Sequence, residues 1–134
     1  MVFIPPFGRS LVGLIKYSEG RFSISTFTKD MTAATGDTSY TGTGFTPKAI
    51  ILLGVINATF TSSHGFAIAG SSGCIANDAA NVWTWDNGVA YLQTAAGARQ
   101  VATLKSMDAN GFTLTWTKTG SPTGTANLYY LAFR

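Results

Sequence analysis

Few residues in this 134-residue chain could break or make a covalent bond. It contains one histidine, His64, one cysteine, Cys74, and six carboxylates: Glu19, Asp30, Asp37, Asp78, Asp86 and Asp108. Catalysis needs an acid, base, nucleophile or metal held in position. A lone histidine excludes a His-rich zinc site within one chain. His64 and Cys74 could in principle pair, but no nucleophile motif surrounds either of them. Gly70-Ser71-Ser72-Gly73 lacks the Gly-x-Ser-x-Gly order and precedes no helical pattern. Gly42-Thr43-Gly44 opens no phosphate loop, because no third glycine, lysine or helix follows. The carboxylates fall in or near turn signals, where aspartate side chains bond the turn backbone. Folding could still assemble two of them into a glycosidase pair. The sequence reads as a protein that binds and packs, with no enzymatic role, cofactor or metal.

Aromatic residues are the richest chemistry present. Trp83 and Trp85 share one face of a short strand, with Asn77, Asp78, Asn81, Asp86 and Asn87 close in sequence. An aromatic plate beside Asn and Asp suits a sugar ring, which has an apolar face and a polar rim. His64, Asp78, Trp83 and Trp85 are therefore candidate glycan contacts. The alternative places both tryptophans in the core, since large aromatics dominate sandwich cores. Trp116 is a core residue by its alternation. Tyr129 and Tyr130 point to opposite faces, which would put one at an interface. Cys74 reads as a small buried apolar residue.

The elements that must position these residues are strands. In Gly111–Thr119, Phe112, Leu114 and Trp116 fall on one face and Thr113, Thr115 and Thr117 on the other, a half-buried strand with a threonine-rich exterior. Arg21–Lys29 repeats the theme, with Phe22 and Ile24 opposite Ser23 and Ser25. Lys48–Ile56 is apolar on both faces, as expected of a central strand covered on both sides. His64–Ala69 is a shorter strand ending in Gly70-Ser71-Ser72-Gly73. Asp86-Asn87-Gly88 predicts a hairpin between Val82–Trp85 and Val89–Thr94. Asp108-Ala109-Asn110-Gly111 and Gly120-Ser121-Pro122-Thr123-Gly124 are further turns. Ala95–Ala98 is too short for a helix. The chain thus reads as an all-β, single β-sandwich, jelly-roll-like, of about nine or ten short antiparallel strands. That domain spans residues 21–134, with 1–20 as an N-terminal arm or edge segment.

Composition narrows the partners. Charged residues make up only 11%, against about 25% in ordinary domains. Nineteen threonines and eleven serines supply most of the polarity. The net charge of +3 comes from nine scattered Lys and Arg residues, none of them grouped as a nucleic-acid patch. No apolar run reaches the roughly 20 residues of a membrane helix. The N-terminus lacks the pattern of a signal peptide. One cysteine permits no internal disulfide. Phe3, Ile4, Pro5, Pro6 and Phe7 form an apolar stretch that cannot be a regular central strand, because proline lacks the ladder donor. They either pack on their own core or dock on a neighbouring subunit, and so are candidate assembly contacts.

Two stretches carry a resemblance. Gly42-Thr43-Gly44-Phe45-Thr46-Pro47-Lys48-Ala49-Ile50-Ile51 resembles the "GF-x-P-K-A-(I/V)" opening of small bacteriophage virion proteins. Asp108-Ala109-Asn110-Gly111-Phe112-Thr113-Leu114-Thr115-Trp116, followed by Leu128-Tyr129-Tyr130-Leu131-Ala132-Phe133, is similar to their closing hairpin. The similarity spans about residues 35–134. It implies one β-sandwich in which the opening and final strands take part, with Gly44, Phe45, Pro47, Gly111 and Phe112 as fold-makers and no catalytic residue. Asn110 stands where aspartate is commoner, and both suit a turn. The implied place is the virion. The expected role is capsid decoration, with major capsid or other virion proteins as partners and a homo-oligomer, a trimer favoured, as the working state. The alternative is a tail, baseplate or fibre module that binds a host-surface glycan. A free-standing chain of this length favours decoration.

Overall fold

The computed structural model describes residues 21–78 and 80–134. Phe3, Ile4, Pro5, Pro6 and Phe7 lie outside the described residues. The rest forms ten strands: β1 Phe22–Asp30, β2 Gly36–Thr41, β3 Ala49–Ile56, β4 Thr61–Ile68, β5 Ser71–Asn77, β6 Trp83–Asp86, β7 Ala90–Ala95, β8 Ala98–Asp108, β9 Gly111–Thr119 and β10 Thr125–Phe133. They make two antiparallel sheets, one of six strands in the order β1-β10-β3-β4-β5-β6 and one of four in the order β2-β9-β8-β7. The all-β sandwich read from period-two patterning is therefore the observed fold. β3, which follows residues 42–48, and the final strand β10 are antiparallel neighbours in the larger sheet.

The core lies between the sheets. Ile50, Leu52, Ala67, Leu128, Tyr130 and Ala132 face it from the larger sheet, and Leu92, Ala102, Phe112, Leu114 and Trp116 from the smaller. Phe112 meets Tyr130 edge to face with ring centroids 5.1 Å apart, which joins the sheets through their aromatic layer. Phe27 stacks on Tyr40 at 3.8 Å, and the Tyr40 hydroxyl accepts a hydrogen bond from Trp116 Nε1 at 3.0 Å. Lys29 lies nearly buried with its ammonium 4.9 Å from the Trp116 ring. Burial pulls the Lys29 pKa down, and the neighbouring Asp30 charge partly opposes this. Gln100 is fully buried, and its amide donates to the carbonyls of Met31 and Ala33, closing the β1–β2 connection over the core.

The turn chemistry follows the sequence at most positions. Asn110 Oδ1 accepts from the Gly44 amide at 2.8 Å, so the β8–β9 turn braces the loop before β3. Asp108 accepts from Ser106 and Thr113 hydroxyls, which hold its carboxyl below the usual range. Two expectations differ. Gly70-Ser71-Ser72-Gly73 is not wholly a turn: Ser71 already begins β5, and the bend is confined to Ala69 and Gly70. Asp86-Asn87-Gly88 makes no hairpin. β6 pairs with β5 in the larger sheet and β7 with β8 in the smaller. The segment crosses between sheets because the Val89 amide donates to the Ala102 carbonyl at 2.7 Å, capturing the chain for the other ladder. Asp86 Oδ1 stabilises the bend by accepting from the Gly88 amide.

One side of the sandwich closes tightly. The inward positions of β4 are small: Thr61, Ser63, Gly65 and Ala67. The Thr61 hydroxyl donates to the Gln93 carbonyl at 2.7 Å, and Ser63 Oγ accepts from the Tyr91 amide at 2.9 Å. These bonds tie the middle of the larger sheet to the edge strand of the smaller. Glycine within a strand marks such a close backbone approach.

Candidate functional site

Strand alternation turns every second residue of the larger sheet away from the core. The register aligns these outward residues in four long rows and a short fifth at one end, Asp30 beside Thr125. The first runs Phe22, Phe133, Ala49, Ile68 and Ser71. The second runs Ile24, Leu131, Ile51, Phe66 and Gly73. The third runs Thr26, Tyr129, Leu53, His64, Ile75 and Trp85. The fourth runs Thr28, Asn127, Val55, Ser62, Asn77 and Trp83. No Lys, Arg, Asp or Glu stands in the four long rows, and His64 is their one imidazole. Aliphatic and aromatic side chains thus dominate the first three rows as an apolar field, whereas the fourth is largely polar at Thr28, Asn127, Ser62 and Asn77.

This field is open among the described residues. Trp85 is 74% exposed, Trp83 64%, Ile24 68% and Phe66 56%. Both tryptophans are therefore surface residues, and the core reading of them is set aside. The cause is positional: β6 is an edge strand of four residues, and only its even positions turn inward. β1 also departs from the expected pattern. Its apolar pair Phe22 and Ile24 faces outward and Ser23 lies on the inward side; Phe27 and Lys29 supply the core contacts instead. β3 keeps the composition of a doubly covered strand, yet among the described residues none covers Ile51 and Leu53 on their outer side. At the rim, Phe60 is 84% exposed at φ 53°, a left-handed conformation uncommon for a bulky residue.

The opposite face of the molecule is polar. Thr115, Thr117 and Thr119 line β9, the Thr115 hydroxyl donates to Asp37 Oδ1 at 2.6 Å, and Asp37 forms an ion pair with Lys105. Those two partners hold the Asp37 carboxyl below its ordinary range. The sandwich is two-faced: hydroxyls and charges on one side, and on the other a mostly apolar sheet charged only at the Asp30 corner.

The four candidate glycan residues do not converge equally. His64 and Trp85 share the third row with Ile75 between them, beside a cleft of about 350 Å³ that also touches Phe66, Asp86 and Asn87. Trp83 lies two residues along the same strand edge and is paired with Asn77, whose Oδ1 is buried without a hydrogen-bond partner. Asp78 serves the β5–β6 turn, where its Oδ1 accepts from the amides of Ala80 and Val82 at 2.9 Å each. Sequence reasoning did not single out Ile24, Ile51, Leu53, Phe66 and Ile75 as site residues. The signal was present in the two-sided apolar run of Lys48–Ile56, which calls for a cover on both sides.

Cys74 borders the cleft from the inner side. Burial pushes its thiol up to about 11, and a hydrogen bond with Ser63 opposes this only in part. The thiolate is the reactive form. At pH 8 the folded protein should therefore react with iodoacetamide about 200-fold more slowly than the urea-unfolded chain, whose thiol has the ordinary value near 8.5. Labelling rates followed by mass spectrometry check this; equal rates would show that the thiol is open to solvent. Among the described residues, no group of three His, Cys, Asp or Glu side chains is placed to hold a metal ion.

No protein-family model matches the chain, no curated protein matches it in sequence, and no solved structure matches it.

Proposed function

We propose that this chain is a non-enzymatic structural protein of a bacteriophage virion that decorates the capsid and stabilises it through subunit contacts. The uncovered apolar face of the six-stranded sheet carries the reading. Typical monomers expose contiguous apolar patches of at most a few hundred Å², and larger ones mark interaction sites. A face whose one charged side chain, Asp30, stands at a corner is suited to burial, because its centre holds nothing charged that must be desolvated. The phage-like strands at Gly42–Ile51 and Leu128–Phe133 support the virion as the setting, and the apolar Phe3–Phe7 stretch adds a second contact element. Partners on this reading are major capsid or other virion proteins and further copies of the chain. The test is immunogold labelling of purified particles with antibody to the chain. Label over heads is expected; label confined to tails would remove the decoration role.

A second reading is favoured by one observation. Trp85 stands exposed at the cleft beside His64, with exposed Trp83 two residues along the same strand. On it the chain is a tail or fibre module that binds host-surface glycan. Trp83→Ala would then abolish retention on host polysaccharide while leaving the unfolding free energy within about 0.5 kcal/mol, as for a surface position. Undiminished retention of the variant would end this reading.

A further inference from the structure

We infer that the apolar face of the six-stranded sheet pairs with the same face of a second copy of this chain, sheet stacked on sheet about a two-fold axis. This rests on the reading that the chain works through subunit contacts, and it names the partner. Size is the first argument. Six strands at about 4.8 Å spacing and four rows about 6.7 Å apart give a face roughly 24 Å by 20 Å. With its side chains standing proud, such a face exposes on the order of 800 Å², the amount that each partner of a standard stable interface buries. A single extended segment laid across it would fill a band about 10 Å wide, the spacing of stacked layers, and leave about half the rows open. A second six-stranded sheet fills the whole.

Chemistry is the second argument. The four long rows hold no charges and Asp30 lies at a corner, so the face is complementary to itself over its first three, mostly apolar rows. Two-fold stacking uses one surface patch on both subunits, whereas a three-fold ring needs two unlike patches. The trimer expected from sequence thus gives way to a pair as the basic unit of this face. The third argument is β3. Its two-sided apolar composition is that of a strand between layers, and its inner layer is already supplied by β7 and the smaller sheet. Stacking a second sheet would supply the outer layer at Ile51 and Leu53, at the usual inter-sheet distance of about 10 Å. His64, near the middle of the third row, would be the one imidazole enclosed.

The experiment is light scattering after size exclusion on the full chain over a wide concentration range. The expected mass is twice 14.1 kDa. Leu53→Glu places a carboxylate at the centre of the face and should return the mass to one chain. Ile75→Glu provides the same test on a different strand should the first variant fold poorly, which circular dichroism would show. Thr117→Glu, exposed on the opposite sheet, should leave the pair intact. A monomeric full chain overturns the inference, as does a mass of three chains. So does a pair that survives both face variants but is lost in the full-length Phe3→Glu/Phe7→Glu variant, which would assign the contact to the N-terminal arm. Particle labelling reports on the virion reading alone. Label on heads with a monomer in solution would remove the pairing and keep that reading; a face-dependent pair with no label on any particle would do the reverse.

Discussion

Trp116→Ala is expected to lower the unfolding free energy by about 3–5 kcal/mol, the range for removing a fully buried large aromatic. Trp116 is completely enclosed between the sheets. The substitution would empty the largest side chain of the smaller sheet's inner layer, next to Phe112 and Leu114 on the same strand. It would also strip the Tyr40 hydroxyl of its indole donor and leave the Lys29 ammonium over a void instead of over a ring. These losses act together, because Tyr40 stacks on Phe27 and so transmits the change to β1. Equilibrium urea unfolding followed by circular dichroism measures the effect. Trp85→Ala, at an exposed edge position, should cost about 0.5 kcal/mol or less when measured at a concentration where the chain is monomeric. If the two variants were destabilised alike, the assignment of Trp116 to the core and Trp85 to the surface would fail.

That contrast also marks what the sequence could and could not reveal. Trp116 was legible because it sits in a long run with strict alternation, Phe112, Leu114 and Trp116 against three threonines. Trp83 and Trp85 sit in a strand of four residues, too short for alternation to say which side is inside. Their placement depends on which sheet β6 joins, and that is set by its ladder with β5, in which Trp83 and Trp85 oppose Asn77 and Ile75, rather than by any local signal. β1 shows a second limit. Phe22 and Ile24 alternate correctly with serines, so period two was right and the side was wrong. Hydrophobicity identifies an inner face only where burial within one chain is the sole reason for it. On the larger sheet two faces are apolar, and the pattern cannot rank them. The small inward residues of β4 carried no hydrophobic signal at all; a serine, a threonine and a glycine face the core because the backbone of β7 lies against them. Of the candidate site, the aromatic pair and His64 were legible. The aliphatic field that joins them was not, since it exists only once β1, β10, β3, β4 and β5 are in register.

Gly65→Ala tests that packing most directly and should cost about 3 kcal/mol, the upper end for overpacking a core. Gly65 lies on β4 between Leu52 of β3 and Cys74 of β5. A Cβ there would stand 1.9 Å from the Val89 carbonyl oxygen, 2.7 Å from its carbonyl carbon and 2.9 Å from Cys74 Cβ. The first two are backbone atoms and cannot swing aside. Val89 is held by its bond to Ala102, and the strand that follows is pinned by Ser63 to the Tyr91 amide and by Thr61 to the Gln93 carbonyl. Relief therefore requires β4 to move away from β7 and to loosen these ties together. Gly36→Ala is the control, since nothing lies within 4 Å of a Cβ at that exposed position, and it should shift stability by about 1 kcal/mol or less. Thermal unfolding of the two variants side by side provides the comparison; equal midpoints would show that β4 and β7 are not in backbone contact. The consequence reaches the outer face as well. His64 and Phe66 flank Gly65 and point the other way, at the middle of the apolar rows. Displacing β4 would tilt both out of the sheet plane, so Gly65→Ala should weaken self-association even where the folded fraction is restored by low temperature. The shape of the outer side of this sheet thus depends on the absence of a single methyl group on the inside.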